Sequence, residues 1–257
     1  MTELIDTHSH IYEDDFAPDF GQVIERAESA GVSALIMPDV DIASYDKMIR
    51  TADRLPEYAF PCIGLHPTSV NEEWETELSF LREHLHDRKF YAIGEIGLDE
   101  YWSKDFVEQQ IRVFEEQVEM AAQMDLPVII HCRQATDDLF RVLEDVRGLP
   151  LRGTMHAFTG SYETYRRILS YGDFKFGIGG VVTYKNAGIA ETVRRMSLQD
   201  IVLETDCPWL TPVPYRGRRN ESSYVSLVAA KVAETMGAGL EAVASATTSN
   251  ARKLFKL

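Results

Sequence analysis

The feature that most constrains the fold is a regular alternation of short apolar runs and longer amphipathic segments. The short runs are rich in strand-forming residues, and the segments between them, such as residues 19–31 and 105–125, show helical periodicity. Strands that alternate with helices form parallel sheets. The eight strand runs are LIDTH (4–8), SALIMP (33–38), YAFPCIGL (58–65), FYAIGEIG (90–97), PVIIHC (127–132), GTMHAF (153–158), FKFGIGG (174–180) and IVLETD (201–206).

Eight strand–helix units predict the fold class, an α/β protein built as a (β/α)8 TIM barrel in a single domain. The chain has 257 residues, and 45% of them are hydrophobic, which is enough for a barrel core. No linker or break in composition is present, so we expect one domain over residues 1–257. A doubly wound open sheet is the alternative, but no GxGxxG turn follows the first strand run. The last segment predicts one or two closing helices.

Composition limits the cellular setting and the partners. We find no apolar run of 18 residues and no basic segment leading into an apolar stretch at the start, so we expect a cytoplasmic protein without a membrane span. Cys62, Cys132 and Cys207 lack CxxC spacing and lie in or after apolar runs, which favours reduced, buried thiols. The net charge of −15 argues against a broadly basic nucleic-acid surface but leaves room for a local patch.

A metal-binding pattern follows the first strand run. Asp6, His8 and His10 alternate in DTHSH, and alternate residues of a strand share one face. Two imidazoles beside a carboxylate suit a divalent ion, whereas two solvated histidines are the alternative for this motif alone. His84 and His86 have the same spacing in a helical segment, where residues two apart diverge. We expect this second pair to be solvated helix residues.

Other strand ends carry residues of the same kind. Glu95 interrupts the fourth run, Asp206 ends the eighth, and His66, His131 and His156 follow or end the third, fifth and sixth. The carboxyl ends of barrel strands converge at one mouth, and a buried carboxylate needs a partner or a metal. Taken singly, each histidine could be a core residue and Glu95 could pair with an arginine. Together, six residues favour a shared metal site: His8, His10, Glu95, His131, His156 and Asp206.

Six ligands exceed what one catalytic ion binds while keeping a position open for water. Two divalent ions that share a carboxylate fit better, and Glu95, in the middle of the set, is the predicted bridge. Two ions about 3.5–4 Å apart activate water and hold the attacking and leaving oxygens, so we predict a hydrolase. This ligand set suits Zn2+ or Mn2+, and phosphoryl chemistry often uses Mg2+.

Blocks of sequence over nearly the whole chain resemble the TatD family of metal-dependent deoxyribonucleases, which are amidohydrolase-like TIM barrels. The blocks are DTHSH (6–10), GLHP (64–67), GEIGLD (94–99), IIHCR (129–133), HAFTGS (156–161), GGVVTYKNA (179–187), ETDCPWLTP (204–212) and YRGRRN (215–220). The chain departs from the family pattern beside the predicted ligands, at Cys132, Gln134, Ala157 and Ser222.

The resemblance implies hydrolysis of DNA phosphodiester bonds, which some members carry out as 3′–5′ exonucleases. It implies that His8, His10, Glu95 and Asp206 hold one ion and that Glu95, His131 and His156 hold the other. It implies that Asp206 also orients or deprotonates the attacking water, and we predict that Asp206 and Glu95 are the catalytic residues.

Basic residues near the predicted mouth suit the phosphates of a nucleic acid. The predicted partner is single-stranded DNA, bound at its ends, and we expect no membrane and no obligate protein partner. Arg133 and Arg216 are the predicted phosphate ligands. For Arg218 and Arg219, phosphate binding and a solvated loop are equally consistent with the sequence. His66 is predicted to contact the phosphate or the leaving group, with a structural histidine as the alternative. Trp209 and Phe158 are expected to line the site.

Two other functions compete with this interpretation. The same site could hydrolyse an amide or ester, as in an aminoacyl-tRNA deacylase. Many such barrels bridge their ions with a carboxylated lysine at the end of strand four, where this chain has Glu95. A non-catalytic, metal-dependent binding protein is the second alternative, and the acidic charge and complete ligand set argue against it.

Overall fold

Eight parallel strands lie inside a ring of helices in the computed structural model, which describes residues 2–257. The strands are β1 (Leu4–Asp6), β2 (Val32–Met37), β3 (Ala59–Pro61), β4 (Ile93–Asp99), β5 (Val128–Arg133), β6 (Arg152–Met155), β7 (Asp173–Ile178) and β8 (Ile201–Leu203). The helices are α1 (Phe20–Ser29), α2 (Ile42–Arg54), α3 (Trp74–His84), α4 (Val107–Gln123), α5 (Thr136–Asp145), α6 (Tyr162–Ile168), α7 (Ile189–Arg195), α8 (Val225–Met236) and α9 (Leu240–Phe255). The predicted alternation and two closing helices are confirmed.

The sheet closes into a barrel at two places where the strands pair only briefly. Regular parallel pairing joins β1-β2-β3 and, separately, β4-β5-β6-β7-β8. A parallel bridge between Ile63 and Ile93 connects β3 to β4, and another between Ser9 and Cys207 connects the extension of β1 to that of β8. The (β/α)8 barrel prediction is confirmed, and the open-sheet alternative is wrong.

Apolar side chains fill the barrel, and α9 covers its amino-terminal end. Ile36 and Ile129 are fully buried in a cluster that also contains Phe255 of α9. The Thr248 hydroxyl donates to the carbonyl of Glu3 before β1 (3.0 Å), in line with this packing. Because the strands are parallel, their polar carboxyl ends all lie at the opposite end, which α9 does not cover and where barrel sites form.

The surface histidine pair differs in part from the prediction. Helix α3 ends at His84, whose ring is half-buried and stacks on Phe80 with centroids 3.8 Å apart. His86 is exposed in the turn that follows the helix. The expectation that both are solvated helix residues is therefore wrong in detail, because the helix ends before His86 and packs the ring of His84.

Two further findings concern the cysteines and the helices. Cys62 and Cys207 are buried, Cys132 is half-buried, and all three are free thiols, as predicted. No helix within residues 2–257 is long and apolar enough to cross a membrane.

Candidate metal centre

The extensions of β1 and β8 bring the first histidines to the barrel mouth. Beyond Asp6 the chain stays beside β8: the Asp206 amide donates to the carbonyl of His8 (2.9 Å), and the His10 amide donates to that of Cys207 (2.9 Å). His8 and His10 are almost completely buried. Asp206 has a positive φ of 59°, which is uncommon for a residue other than glycine and turns its carboxylate toward the histidines.

Four donor atoms converge in the first half of the site. The Nε2 atoms of His8 and His10 lie 3.0 Å apart, and Glu95 Oε2 lies 3.0 Å and 3.8 Å from them. Asp206 Oδ1 lies 3.7 Å and 3.6 Å from the same two nitrogens. Ligand atoms about 2.0–2.1 Å from a tetrahedral ion are about 3.4 Å apart, so these side chains fit one ion.

The second half of the site forms around the other oxygen of Glu95. Glu95 Oε1 lies 3.0 Å from His131 Nδ1, 3.4 Å from His66 Nε2 and 3.8 Å from His156 Nε2. His156 Nε2 is also 3.7 Å from Asp206 Oδ1, so Asp206 contacts both halves. The two oxygens of Glu95 thus face different groups of histidines. Both oxygens of Glu95 are therefore placed to bind a cation.

Hydrogen bonds fix which ring nitrogens hold protons. Tyr12 donates its hydroxyl proton to the carbonyl of Pro38 (2.7 Å), so it accepts from Nδ1–H of His10 (2.7 Å). The neutral His10 ring therefore directs an unprotonated Nε2 into the site. In His66, Nδ1 accepts from the Thr68 amide (3.1 Å), so Nε2 carries the proton. His10 is thus prepared to bind a cation, whereas His66 is prepared to donate a hydrogen bond.

Asp99 orients His131, a role that the sequence reasoning missed. Its Oδ2 accepts from His131 Nε2 (2.8 Å), which leaves His131 Nδ1 facing Glu95. Burial lowers the pKa of His131, but hydrogen bonds to Asp99 and Glu95 outweigh it and raise this pKa to about 9. Without a metal, a proton therefore lies between His131 and Glu95. Asp99 ends the GEIGLD block, so its place two residues past Gly97 on β4 is the only signal in the sequence.

Glu204 is the second residue that the sequence reasoning missed. Its fully buried carboxylate accepts from the Ala157 amide (2.6 Å), and Oε1 lies 3.0 Å from His156 Nδ1 without alignment for a hydrogen bond. Strand β7 lies between them, and a Cβ at Gly177 would overlap Glu204 Oε2. Gly177 thus lets the carboxylate that directly follows β8 reach a histidine after β6. The sequence signal is alternation: Glu204 precedes Asp206 by two residues.

The donor groups of the buried site suit cations. Burial raises the pKa of Glu204 and of Asp206 to about 7. Burial also lowers the pKa values of His8, His10 and His156, so these rings are neutral at pH 7. Within residues 2–257, Nδ1 of His8 and of His156 have no hydrogen-bond partner. Neutral imidazoles and carboxylates packed at 3.0–3.8 Å fit divalent ions of the Zn2+ or Mn2+ type.

Asp6 does not join this cluster, although alternation predicts that it shares a face with the two histidines. Its carboxylate accepts from the amide (2.8 Å) and the hydroxyl (2.6 Å) of Thr205 on the neighbouring β8 extension. Asp6 therefore joins the two extensions that carry His8, His10 and Asp206.

The predicted substrate residues lie around the mouth in different settings. The guanidinium of Arg133 lies 3.7 Å from the Tyr101 ring centroid, and that of Arg216 lies 4.1 Å from the Tyr184 centroid. Arg219 instead forms an ion pair with Asp19 (2.8 Å). The charge of Arg219 is therefore already paired, which favours a structural role in the loop over phosphate binding.

The two aromatic residues expected to line the site differ in exposure. Trp209 is 50% exposed, and its ring centroid lies 5.1 Å from that of His10. Phe158 is buried and packs edge-on against Phe176, with centroids 4.8 Å apart. Trp209 thus lines the site, whereas Phe158 belongs to the core.

A barrel with histidines and carboxylates converging at its mouth is the architecture of a metal-dependent hydrolase. Comparison with known proteins agrees: residues 5–256 match the model of the family described as TatD related DNase. The chain belongs to this family.

Individual relatives cover almost the whole chain. The uncharacterized metal-dependent hydrolase YabD of Bacillus subtilis (strain 168) is 38% identical over 257 residues, which cover 99% of each protein. The 3′-5′ ssDNA/RNA exonuclease TatD of Erwinia billingiae (strain Eb661) is 33% identical and covers 94% of this chain and 95% of its own length. The crystal structure of YJJV, a TatD homolog from Escherichia coli K12, superposes with a TM-score of 0.92 at 28% identity, covering 100% of this chain and 99% of that one.

Proposed function

We propose that this chain removes nucleotides from the 3′ ends of single-stranded DNA by hydrolysing phosphodiester bonds with two divalent ions. In this proposal His8, His10, Glu95 and Asp206 hold one ion, and Glu95, His131 and His156 hold the other. The observation that carries the proposal is that the two carboxylate oxygens of Glu95 face different histidines. Oε2 faces His8 and His10, and Oε1 faces His131 and His156. The polarity and strand preference rest on the relative from Erwinia billingiae.

Asp206 is the proposed proton acceptor. When bound, divalent ions would lower the pKa of a water molecule and offset the charge that builds on the phosphate oxygens. Asp206 Oδ1 lies 3.6–3.7 Å from the Nε2 atoms of His8, His10 and His156, at the centre of the cluster. Burial raises the pKa of Asp206 to about 7, which suits a group that takes up a proton near neutral pH.

His66, Arg133 and Arg216 are the proposed ligands of the substrate phosphate. Nε2 of His66 carries a proton beside Glu95, so it can donate to a phosphate oxygen. Arg133 and Arg216 are exposed at the mouth, lie against tyrosine rings and form no ion pair within residues 2–257, so they retain N–H groups that can bind an anion. Arg219 is left out of this role because it pairs with Asp19.

End-labelled oligonucleotides test this proposal. The metal-stripped protein is mixed with 3′-labelled or 5′-labelled single-stranded DNA, and Mg2+, Mn2+ or Zn2+ is then added back. The expected result is no cleavage without metal and, with metal, a ladder on the 5′-labelled strand together with immediate release of the 3′ label. Shortening from the 5′ end would contradict the proposed polarity. Failure to cleave with every metal, although metal binds, would refute phosphodiester hydrolysis and make ester and aminoacyl-tRNA substrates the next to test.

A further inference from the structure

An exposed aromatic pair lies beside the metal centre on the loop after β4. Trp102 is 70% exposed and Tyr101 is 47% exposed, and their rings meet edge to face with centroids 4.9 Å apart. The guanidinium of Arg133 lies 3.7 Å from the Tyr101 centroid and 5.3 Å from that of Trp102. Arg133 forms no ion pair with any residue in the described range 2–257. The three side chains form an open surface with two aromatic rings and an unpaired positive charge.

Asp99 ties this surface to the site. One oxygen of Asp99 accepts from Nε2 of His131 (2.8 Å), and the other accepts from the amides of Tyr101 (2.9 Å) and Trp102 (3.3 Å). From the other side, the Glu100 amide donates to the carbonyl of Arg133 (3.0 Å), two residues after His131 on β5. A single carboxylate therefore holds both a proposed metal ligand and the turn that presents the aromatic rings. The surface is fixed at a short distance from the reaction centre.

We propose that Tyr101, Trp102 and Arg133 form a subsite that stacks one unpaired nucleobase next to the phosphodiester being cleaved. This inference rests on the proposed function and names how the same site recognises its substrate. Exposed aromatic rings and a guanidinium plane stack on the faces of bases whatever their sequence. A base inside a duplex has both faces covered by its neighbours, so this subsite selects unpaired ends. Arg133 also supplies a charge for the adjacent phosphate.

Trp102 is the residue to change, because its exposure means that truncation removes little packing. The substrates are an oligothymidylate, the same strand with one abasic residue moved stepwise from the 3′ end, and a fully abasic strand. For the wild type, we expect one abasic position to raise KM about 10-fold, the size of one base–aromatic stack. Trp102→Ala should raise KM by the same factor on the unmodified strand and lose sensitivity to that abasic position. Trp102→Phe should have a KM on the unmodified strand close to that of the wild type, because phenylalanine keeps an aromatic ring.

Controls separate this subsite from the proposed function. Leu240→Ala, which truncates a 45% exposed apolar side chain on α9, should keep wild-type KM on every strand. The wild type and Trp102→Ala should cleave the fully abasic strand equally, because it has no base to stack. Equal KM values for both proteins on the unmodified strand, with the same abasic profile, would refute the subsite alone. Cleavage of no strand by the wild type would refute phosphodiester hydrolysis and, with it, the subsite.

Discussion

Replacing Asp99 with asparagine should weaken metal binding while leaving the barrel folded. In the wild type, Oδ2 accepts from His131 Nε2, and Oδ1 accepts from the amides of Tyr101 and Trp102. Asparagine has one oxygen and one NH2 group, so it accepts on only one of these two sides. Either His131 loses its acceptor and is free to turn, or the turn loses its hydrogen bonds.

The size of the effect follows from the bond that is lost. A hydrogen bond to a charged group contributes about 1.5–3 kcal/mol, which corresponds to a factor of about 10–150. Loss of a residue that orients a metal-binding histidine typically reduces metal affinity about 10- to 100-fold. We therefore expect Asp99→Asn to bind Mn2+ or Zn2+ about 10- to 100-fold more weakly, measured by competition with a chelator of known affinity.

Asp39→Asn is the matched control. Asp39 is as deeply buried as Asp99, but its Oδ1 accepts from the Ser44 hydroxyl (2.7 Å) and the Val40 amide (3.0 Å) and from no histidine within residues 2–257. This variant should lose stability and keep wild-type metal affinity. Wild-type metal affinity in Asp99→Asn, or an equal loss of affinity in both variants, would refute the role assigned to Asp99.

Two further predictions concern the surroundings of the ligands. In Gly177→Ala the new methyl group would overlap Glu204, so this variant should lose about 1–3 kcal/mol of stability in thermal melts and bind metal more weakly. Gly188→Ala, where the methyl group meets open space, should keep wild-type stability and metal affinity. The same losses in both variants, or in neither, would contradict the packing argument. Hydrogen bonds raise the pKa of His131 to about 9, so their stabilisation is complete below its unfolded pKa of about 6.5 and is lost as pH rises through about 9. The difference in Tm between metal-free wild type and Asp99→Asn should therefore shrink from about pH 6 to about pH 9.5, and a constant difference would count against that hydrogen bond.

The sequence could predict the barrel and the convergence of its polar strand ends, because both depend on local patterns. Each strand run is apolar enough to be buried, so a carboxylate such as Glu95 within a run is conspicuous. Histidines at the ends of other runs come together by the geometry of a parallel barrel. Periodicity was less reliable at element ends, as the end of α3 before His86 illustrates.

The contacts that orient the ligands could not be predicted, because they depend on which strands become neighbours and how closely. Glu204 reaches His156 only because Gly177, on the strand between them, has no side chain. Arg219 was a candidate for phosphate binding until its partner Asp19, 200 residues earlier in the chain, was visible. Asp6 follows the same alternation as the histidines, yet it turns to Thr205 once β1 and β8 lie side by side.

The most direct test counts the metal ions bound per chain and measures DNA cleavage on the same samples. If Glu95 bridges two ions, the wild type should bind two, and Glu95→Ala should lose metal and cleavage together while its circular dichroism stays that of a folded barrel. His86→Ala, with an exposed side chain after α3, should match the wild type in both respects. A folded Glu95→Ala variant that keeps two ions or full cleavage activity would contradict the bridging role of Glu95.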